Sequence, residues 1–317
     1  MIKINNLVAT YTTTRGTVKA VDGVNLEIPE GITLGIAGES GCGKTTLLKV
    51  LYGDIGFPLS IKSGSVDYGM QGDKGDPITT ANIQQYWYKH IAYMPQGSMS
   101  SLNPVIRVRD QFLDFLRSGY DQKRLIGEAR EYVKALGLPG EVLDAYPHQL
   151  SGGMRQRVMV AMASFLKPAI ILADEPTTAL DVVVQKGILL LLMELQERMK
   201  STILFVSHDM GVHYQISHKM FIMYAAKGVE FGDSDKVFGK PIHPYTRILI
   251  ESLPAIGDDN LRKGVAGRPP SLWDKLVGCR FAERCPFVTD ICRAEEPPLK
   301  QYTPGHFAAC HLGERFV

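Results

Sequence analysis

Gly38-Glu39-Ser40-Gly41-Cys42-Gly43-Lys44-Thr45 is a run of small residues closed by a lysine and a hydroxyl. Glycines at this spacing let consecutive backbone N–H groups curl around phosphate oxygens, and a helix starting there adds its positive end. The lysine of such a loop reaches the β- and γ-phosphates and the next hydroxyl takes Mg²⁺. Lys44 and Thr45 are therefore assigned those tasks, with Thr46 beside them and Cys42 as a small member of the loop. A second run, Ile170-Ile-Leu-Ala-Asp174-Glu175-Pro176, ends an apolar stretch in two carboxylates. Asp174 suits Mg²⁺, and Glu175 is placed to orient or deprotonate an attacking water. An Asp-Glu pair alone would read as a solvated turn; together with the glycine-rich loop it reads as a nucleotide site.

These residues need elements to carry them. Ile32-Thr-Leu-Gly-Ile-Ala is a strand running into the glycine-rich turn, and Thr45 to Tyr52 is an apolar helix. The alternation from Ile2 to Leu34 predicts antiparallel strands. Residues 53–89, rich in Gly, Asp and Pro, read as loops and edge strands. From Val105 to Leu136 the pattern is helical, with Phe112, Phe115 and Leu116 on one face. A further helix is expected to begin after Gly153 and to end before Pro168. The wholly apolar Ala169-Ile-Ile-Leu-Ala and Thr202-Ile-Leu-Phe-Val suit buried parallel strands, with a helix from Gly187 to Met199 between them. Strand, helix, strand predicts an α/β core with a mainly parallel sheet flanked by helices. After Gly239 the periodicity fades, which places a boundary there.

Composition narrows the class. The 317 residues are 45% hydrophobic and 21% charged, with a net charge of +2. That excludes a disordered chain, and there is no global basic field to attract nucleic acid. No apolar run approaches the ~18–20 residues of a membrane span, and Met1-Ile-Lys-Ile-Asn-Asn lacks the apolar core of a secretory signal. A cytosolic chain is expected. In that compartment Cys279, Cys285, Cys292 and Cys310, crowded into the last forty residues, are not expected to pair as disulfides.

Leu150-Ser151-Gly152-Gly153-Met154-Arg155-Gln156-Arg157, some twenty residues before Asp174, resembles the signature of the ABC ATPases, with Met154 where many members have Gln. The resemblance covers roughly residues 1–238 and implies that ATP is held between two cassettes, each offering its Ser151–Met154 turn to the other's phosphates. It further implies a fold with an antiparallel β subdomain and a helical signature subdomain at about 97–154. Gln96, in Tyr93-Met-Pro-Gln, matches the glutamine that contacts Mg²⁺ or water and senses the membrane partner. Ala179-Leu-Asp181 resembles the loop bridging the two nucleotide sites. His208, in Val206-Ser-His-Asp, matches the histidine that holds the γ-phosphate, and Tyr11 stands where an aromatic stacks on adenine, with an ordinary strand tyrosine as its alternative.

The signature together with Ala-Leu-Asp-Val resembles the ATPases of dipeptide and oligopeptide importers, and His243-Pro-Tyr-Thr-Arg247 resembles the opening of that group's C-terminal extension, here residues 239–317. The resemblance implies a peripheral ATPase at the cytoplasmic face of the membrane. Its implied partners are a second homologous cassette (a homodimer being the fallback), two permease subunits and an extracytoplasmic substrate-binding protein, with no nucleic acid. An importer of oligosaccharide or nickel stays open. A soluble ATPase working on DNA or ribosomes is the remaining alternative, disfavoured by the lack of coiled coils and of a second cassette. In the tail, Cys279-x₅-Cys285-x₆-Cys292-x₁₇-Cys310 offers the four thiolates of a [4Fe–4S] cluster. Zn²⁺ ranks second, because its sites favour closer Cys pairs, and free thiols third.

Overall fold

A computed structural model describes residues 1–73, 75–97, 101–114, 121–178, 180–253, 264–273 and 276–317. The chain divides into two compact units, Gln85–Leu204 and a second made of Met1–Gln84 with Phe205–Val317.

In the unit that holds both termini, β1 (Ile2–Thr13) and β2 (Gly16–Ile28) pair antiparallel, as their alternation predicts. β3 (Thr33–Ala37) is buried throughout, and past the glycine-rich turn begins α1 (Lys44–Tyr52). β4 (Leu59–Gln71) and β5 (Pro77–Thr79) complete an antiparallel sheet in the order β2-β1-β4-β5. β4 is longer than the loops and edge strands expected there. Of its thirteen residues Leu59, Val66 and Tyr68 are buried, so a strand with one wet face looks polar in sequence.

The unit Gln85–Leu204 begins with β6 (Ile91–Met94) and a helical layer of α2 (Val108–Asp114), α3 (Gln122–Ala135) and α4 (Gly152–Ser164). The single helical stretch expected from Val105 to Leu136 contains two described helices. Phe112 is buried on α2, while Phe115 and Leu116 lie outside the described residues. Polar links tie the layer: Asp144 accepts from Arg109 and Arg130, each at 2.8 Å, and buried Gln111 serves the backbone of Asn103 and Ile106. β7 (Ile170–Asp174) runs parallel to β6. α5 (Val182–Met199) starts five residues earlier than its periodicity suggests, because Asp181 caps it. β8 (Thr202–Val206) follows and carries the chain back into the first unit.

There, α6 (Met210–Ile216) leads to β9 (Lys219–Tyr224), which pairs parallel with β3 and antiparallel with β10 (Lys227–Asp233). After α7 (Ser234–Gly239) comes α8 (Pro244–Glu251), which fading periodicity conceals but which has a local start signal: His243 Nδ1 accepts from Tyr245 N–H and Pro244 takes the first turn. α9 (Asp290–Ala294) precedes a hairpin of β11 (Lys300–Thr303) and β12 (His306–Ala308), and β12 pairs antiparallel with β10. No helix among the described residues is long and apolar enough to cross a membrane.

Candidate nucleotide site and C-terminal cysteines

The loop between β3 and α1 needs its glycines for space. A Cβ on Gly38 would stand 2.1 Å from the Met223 carbonyl oxygen, and one on Gly43 would stand 2.0 Å from that of Ala20, with φ at +149° and +108°. Any side chain at either place would force the loop off the strands beneath it. Lys44 is buried; its ammonium donates to Gly38 O at 2.7 Å and Glu39 O at 3.0 Å and lies 3.8 Å from Cys42 Sγ. Cys42 is itself buried, and its thiol pKa is pushed up by that burial. It is thus a packing residue rather than a reactive thiolate. Ser40, Gly41 and Thr45 complete the turn and the helix start. Thr46 Oγ1 donates to the Tyr11 hydroxyl at 3.5 Å, which brings Tyr11 from β1 to the phosphate loop.

In the same unit His208 is exposed, on the turn between β8 and α6. Asp209 caps α6, accepting from Gly211 N–H at 2.8 Å and Val212 N–H at 3.3 Å. Behind it His213 is fully buried, Nε2 toward Ser207 O at 3.1 Å and Nδ1 toward Ser217 Oγ at 3.4 Å. Burial lowers its pKa to about 4, so it is a neutral brace under the His208 turn. Its spacing carried no sign of this role.

The unit Gln85–Leu204 gathers the second set. Asp174, at the end of β7, is fully buried and accepts from the Tyr93 hydroxyl at 3.0 Å. Glu175 follows in left-handed backbone, φ +49°, a conformation costly for a side-chain-bearing residue and frequent at functional turns. Its Oε2 accepts from Gln96 Nε2 at 3.3 Å and Thr178 Oγ1 at 2.9 Å, so Gln96 and Glu175 meet. Ser151 caps α4, accepting from Met154 N–H at 3.3 Å, and Gly152 and Gly153 form its first turn. A Cβ on Gly153 would come within 3.0 Å of Val184, so that glycine lets α4 approach α5. Buried Gln156 donates to Pro176 O, joining the signature helix to the Glu175 turn. Tyr93 and Gln156 both lie inside quoted motifs, but only contact in space gives them these tasks. Asp181 spends its carboxylate as a cap, accepting from Val183 N–H at 3.0 Å and Val184 N–H at 2.9 Å; Ala179 lies outside the described residues.

In the tail, Cys279, Cys285, Cys292 and Cys310 line one small cavity of about 10 Å³, together with Phe281 and Phe287. Burial raises the thiols of Cys279 and Cys310, each to about 11, and that of Cys285 in the same direction. All five cysteines of the chain are free thiols here. Among the described residues no three His, Cys, Asp or Glu side chains are grouped to hold a metal ion. The expected [4Fe–4S] cluster and its Zn²⁺ alternative thus find no support in these positions. The spacing brings the four cysteines to one place, but their side chains pack as small apolar groups around a void fit for one water.

A glycine-rich loop between a buried strand and a helix, with an Asp-Glu strand end and a Ser-Gly-Gly helix cap, defines an ABC-type ATPase. Residues 21–178 match the ABC transporter model and residues 229–292 match the oligopeptide/dipeptide transporter C-terminal region. The chain belongs to the ABC transporter family, in the group whose members carry that C-terminal region. It is 38% identical to the dipeptide transport ATP-binding protein DppD of Caldanaerobacter subterraneus subsp. tengcongensis, over 99% of this chain and 97% of that one. To the oligopeptide transport ATP-binding protein OppD of Haemophilus influenzae it is 34% identical, over 100% and 98%. Among solved structures it resembles a dimeric ATP-binding cassette in a post-hydrolysis state bound to ADP and Pi, with a TM-score of 0.62 and 27% identity over 74% of this chain and 99% of that one.

Proposed function

We propose that this chain is the ATP-hydrolysing subunit of an importer of dipeptides or oligopeptides. The observation that carries the reading is the match to the oligopeptide/dipeptide transporter C-terminal region at residues 229–292, joined here to the ABC transporter match at residues 21–178. Mg²⁺ would supply charge neutralisation at the β- and γ-phosphates, and the oxygen donors Thr45, Asp174 and Gln96 suit such a hard cation. Lys44 and the loop N–H groups bind phosphate, Tyr11 offers a face to adenine, and His208 donates to the γ-phosphate. Glu175, held in place by Thr178 and Gln96, takes the proton of the attacking water. Ser151, Gly152, Gly153 and Met154 present a capped helix start to the phosphates of a facing cassette, with Asp181 near that junction. The partners are a second homologous ATPase and two permeases, with a substrate-binding protein outside. On this reading residues 1–238 are the cassette and 239–317 the extension, peripheral to the cytoplasmic face of the membrane.

The four tail cysteines are proposed as ligands of a [4Fe–4S] cluster with a structural role. What supports it is that all four thiols line one small cavity, four being the number of thiolates that a [4Fe–4S] cluster takes. The side chains would have to swing outward to admit it. Anaerobically purified protein should then carry about four irons per chain; colourless, iron-free protein overturns this part alone.

The functional reading is tested by peptide uptake in cells lacking the chain's gene. The wild-type gene should restore uptake of a labelled dipeptide or oligopeptide. Glu175→Gln should not, because loss of a positioned base lowers turnover by about 10²–10⁴-fold. Restored uptake by Glu175→Gln removes the assigned base; uptake of an oligosaccharide or nickel alone replaces the peptide assignment.

A further inference from the structure

Glu39 sits second in the phosphate loop, 245 residues before Arg284, yet the two form a two-pronged ion pair. Arg284 Nη1 donates to Glu39 Oε2 and Nη2 to Oε1, both at 2.8 Å. The guanidinium is itself fixed: Nη1 donates to the Tyr224 hydroxyl at 3.0 Å, Nε to Ala266 O at 2.8 Å and Nη2 to Val265 O at 3.0 Å. The Arg284 side chain is 5% exposed and that of Glu39 24%, so water screens the pair far less than a surface pair. The extension makes a second contact with the same residue, for the Tyr245 hydroxyl accepts from Glu39 N–H at 2.8 Å. On the loop side, Glu39 O receives Lys44 Nζ at 3.0 Å and Cys42 N–H at 3.2 Å. Every polar group of Glu39 is thus engaged: the carboxylate and N–H by the extension, the carbonyl by the loop's own lysine and backbone.

Phosphate binding by such a loop depends on the directions of its N–H groups, and one turned peptide plane misdirects a donor. At Glu39 the extension bonds both the backbone N–H and the side chain of the loop. Arg284 lies in the short turn Ala282–Arg284 and directly precedes Cys285, so the grip belongs to the cysteine-bearing part of the tail. We propose that Arg284, with Tyr245, is a positioning residue for the phosphate loop: the C-terminal extension sets, through Glu39, the loop conformation that receives ATP. The inference rests on the reading of this loop as the ATP site.

The test uses the full chain with MgATP and measures the dissociation constant and, separately, the melting temperature without nucleotide. The variants are Arg284→Gln, Glu39→Gln, the double variant, and Tyr245→Phe, which keeps the ring and removes the hydroxyl. Each single change at the ion pair should weaken ATP binding by about tenfold, the scale of a charge-assisted hydrogen bond. The double variant should bind no worse than Arg284→Gln alone, because both changes break one path. A merely structural Arg284 would shift melting without this coupling in affinity. Tyr245→Phe should weaken binding by a smaller factor. If Arg284→Gln fails to fold, Glu39→Gln and Tyr245→Phe decide, since both leave the arginine in place. ATP affinity within twofold of wild type in Glu39→Gln, or strictly additive losses in the double variant, overturns the proposal. Absence of ATP binding by the wild-type chain overturns the functional reading instead.

Discussion

Two imidazoles in the unit that holds both termini are held neutral by their surroundings. Burial brings both His213 and His243 to about 4, from an ordinary 6.5, and the bonds agree. His213 Nε2 must donate to Ser207 O, and His243 Nδ1 must accept from Tyr245 N–H. The sign of the pH dependence follows. Between 6.5 and 4 the unfolded chain takes up protons that the fold refuses, so stability falls as pH drops through that window and is level above it. Asp22, Asp144 and Asp233 have carboxyls lowered by Arg280, Arg130 and Lys219 respectively, although burial opposes this and is the largest influence on Asp22. Their contribution is complete above the ordinary 3.8 and is lost only below it. Urea midpoints should therefore decline from pH 6.5 to 4.5, and His213→Gln should flatten the decline by about half. An unchanged slope in His213→Gln would deny His213 its part.

Among the elements, the phosphate loop shows how far a motif speaks for its geometry. Gly43 is a fixed glycine of the loop pattern and Gly41 falls on a variable position, and the space around them agrees: a Cβ on Gly41 meets nothing within 4 Å while one on Gly43 strikes Ala20 O. Gly41→Ala should cost about 1 kcal/mol for its positive φ, and Gly43→Ala about 3 kcal/mol or more, since backbone would have to move as well. Thermal melting of the two variants checks the order; equal losses would mean that β2 yields freely. The loop, the apolar strands β3, β7 and β8 and the carboxylates Asp174 and Glu175 were legible because each is a local pattern with a local cause. The start of α5 is hidden in the sequence because Val182-Val-Val imitates a strand and only the Asp181 cap reveals a helix. The hairpin of β11 and β12 escaped notice because seven strand residues are too few for a period. Arg284 could not be paired with Glu39 at all, for nothing in a sequence marks a contact across 245 positions.

Across the chain, the tail and the strand β10 share one buried carboxylate. Glu230 is fully buried, and its Oε1 accepts from Ile242 N–H at 2.8 Å and lies 2.7 Å from His306 Nε2, while Oε2 accepts from His243 N–H at 2.9 Å. All three partners lie beyond residue 238. A chain ended there would leave a buried carboxylate without these bonds and would bare the edge of β10 that β12 covers. Such a truncation should come out aggregated when its soluble yield and sedimentation are compared with those of the full chain. A soluble, monodisperse product would show that the cassette stands without the extension.

The pairing of β10 with β12 also bears on how such chains can be recombined. An extension joined by a linker could be exchanged between relatives at any point in that linker. Here the seam runs inside a β-sheet, through Glu230 on one side and His306 on the other. A chimera that takes its last eighty or so residues from another parent inherits a strand that must match the recipient's register, a histidine that must meet the recipient's glutamate, and an arginine that must meet the recipient's loop. The crossover therefore belongs upstream of β10, so that the strand, its carboxylate and the hairpin arrive from one parent, with Glu39 checked in the other.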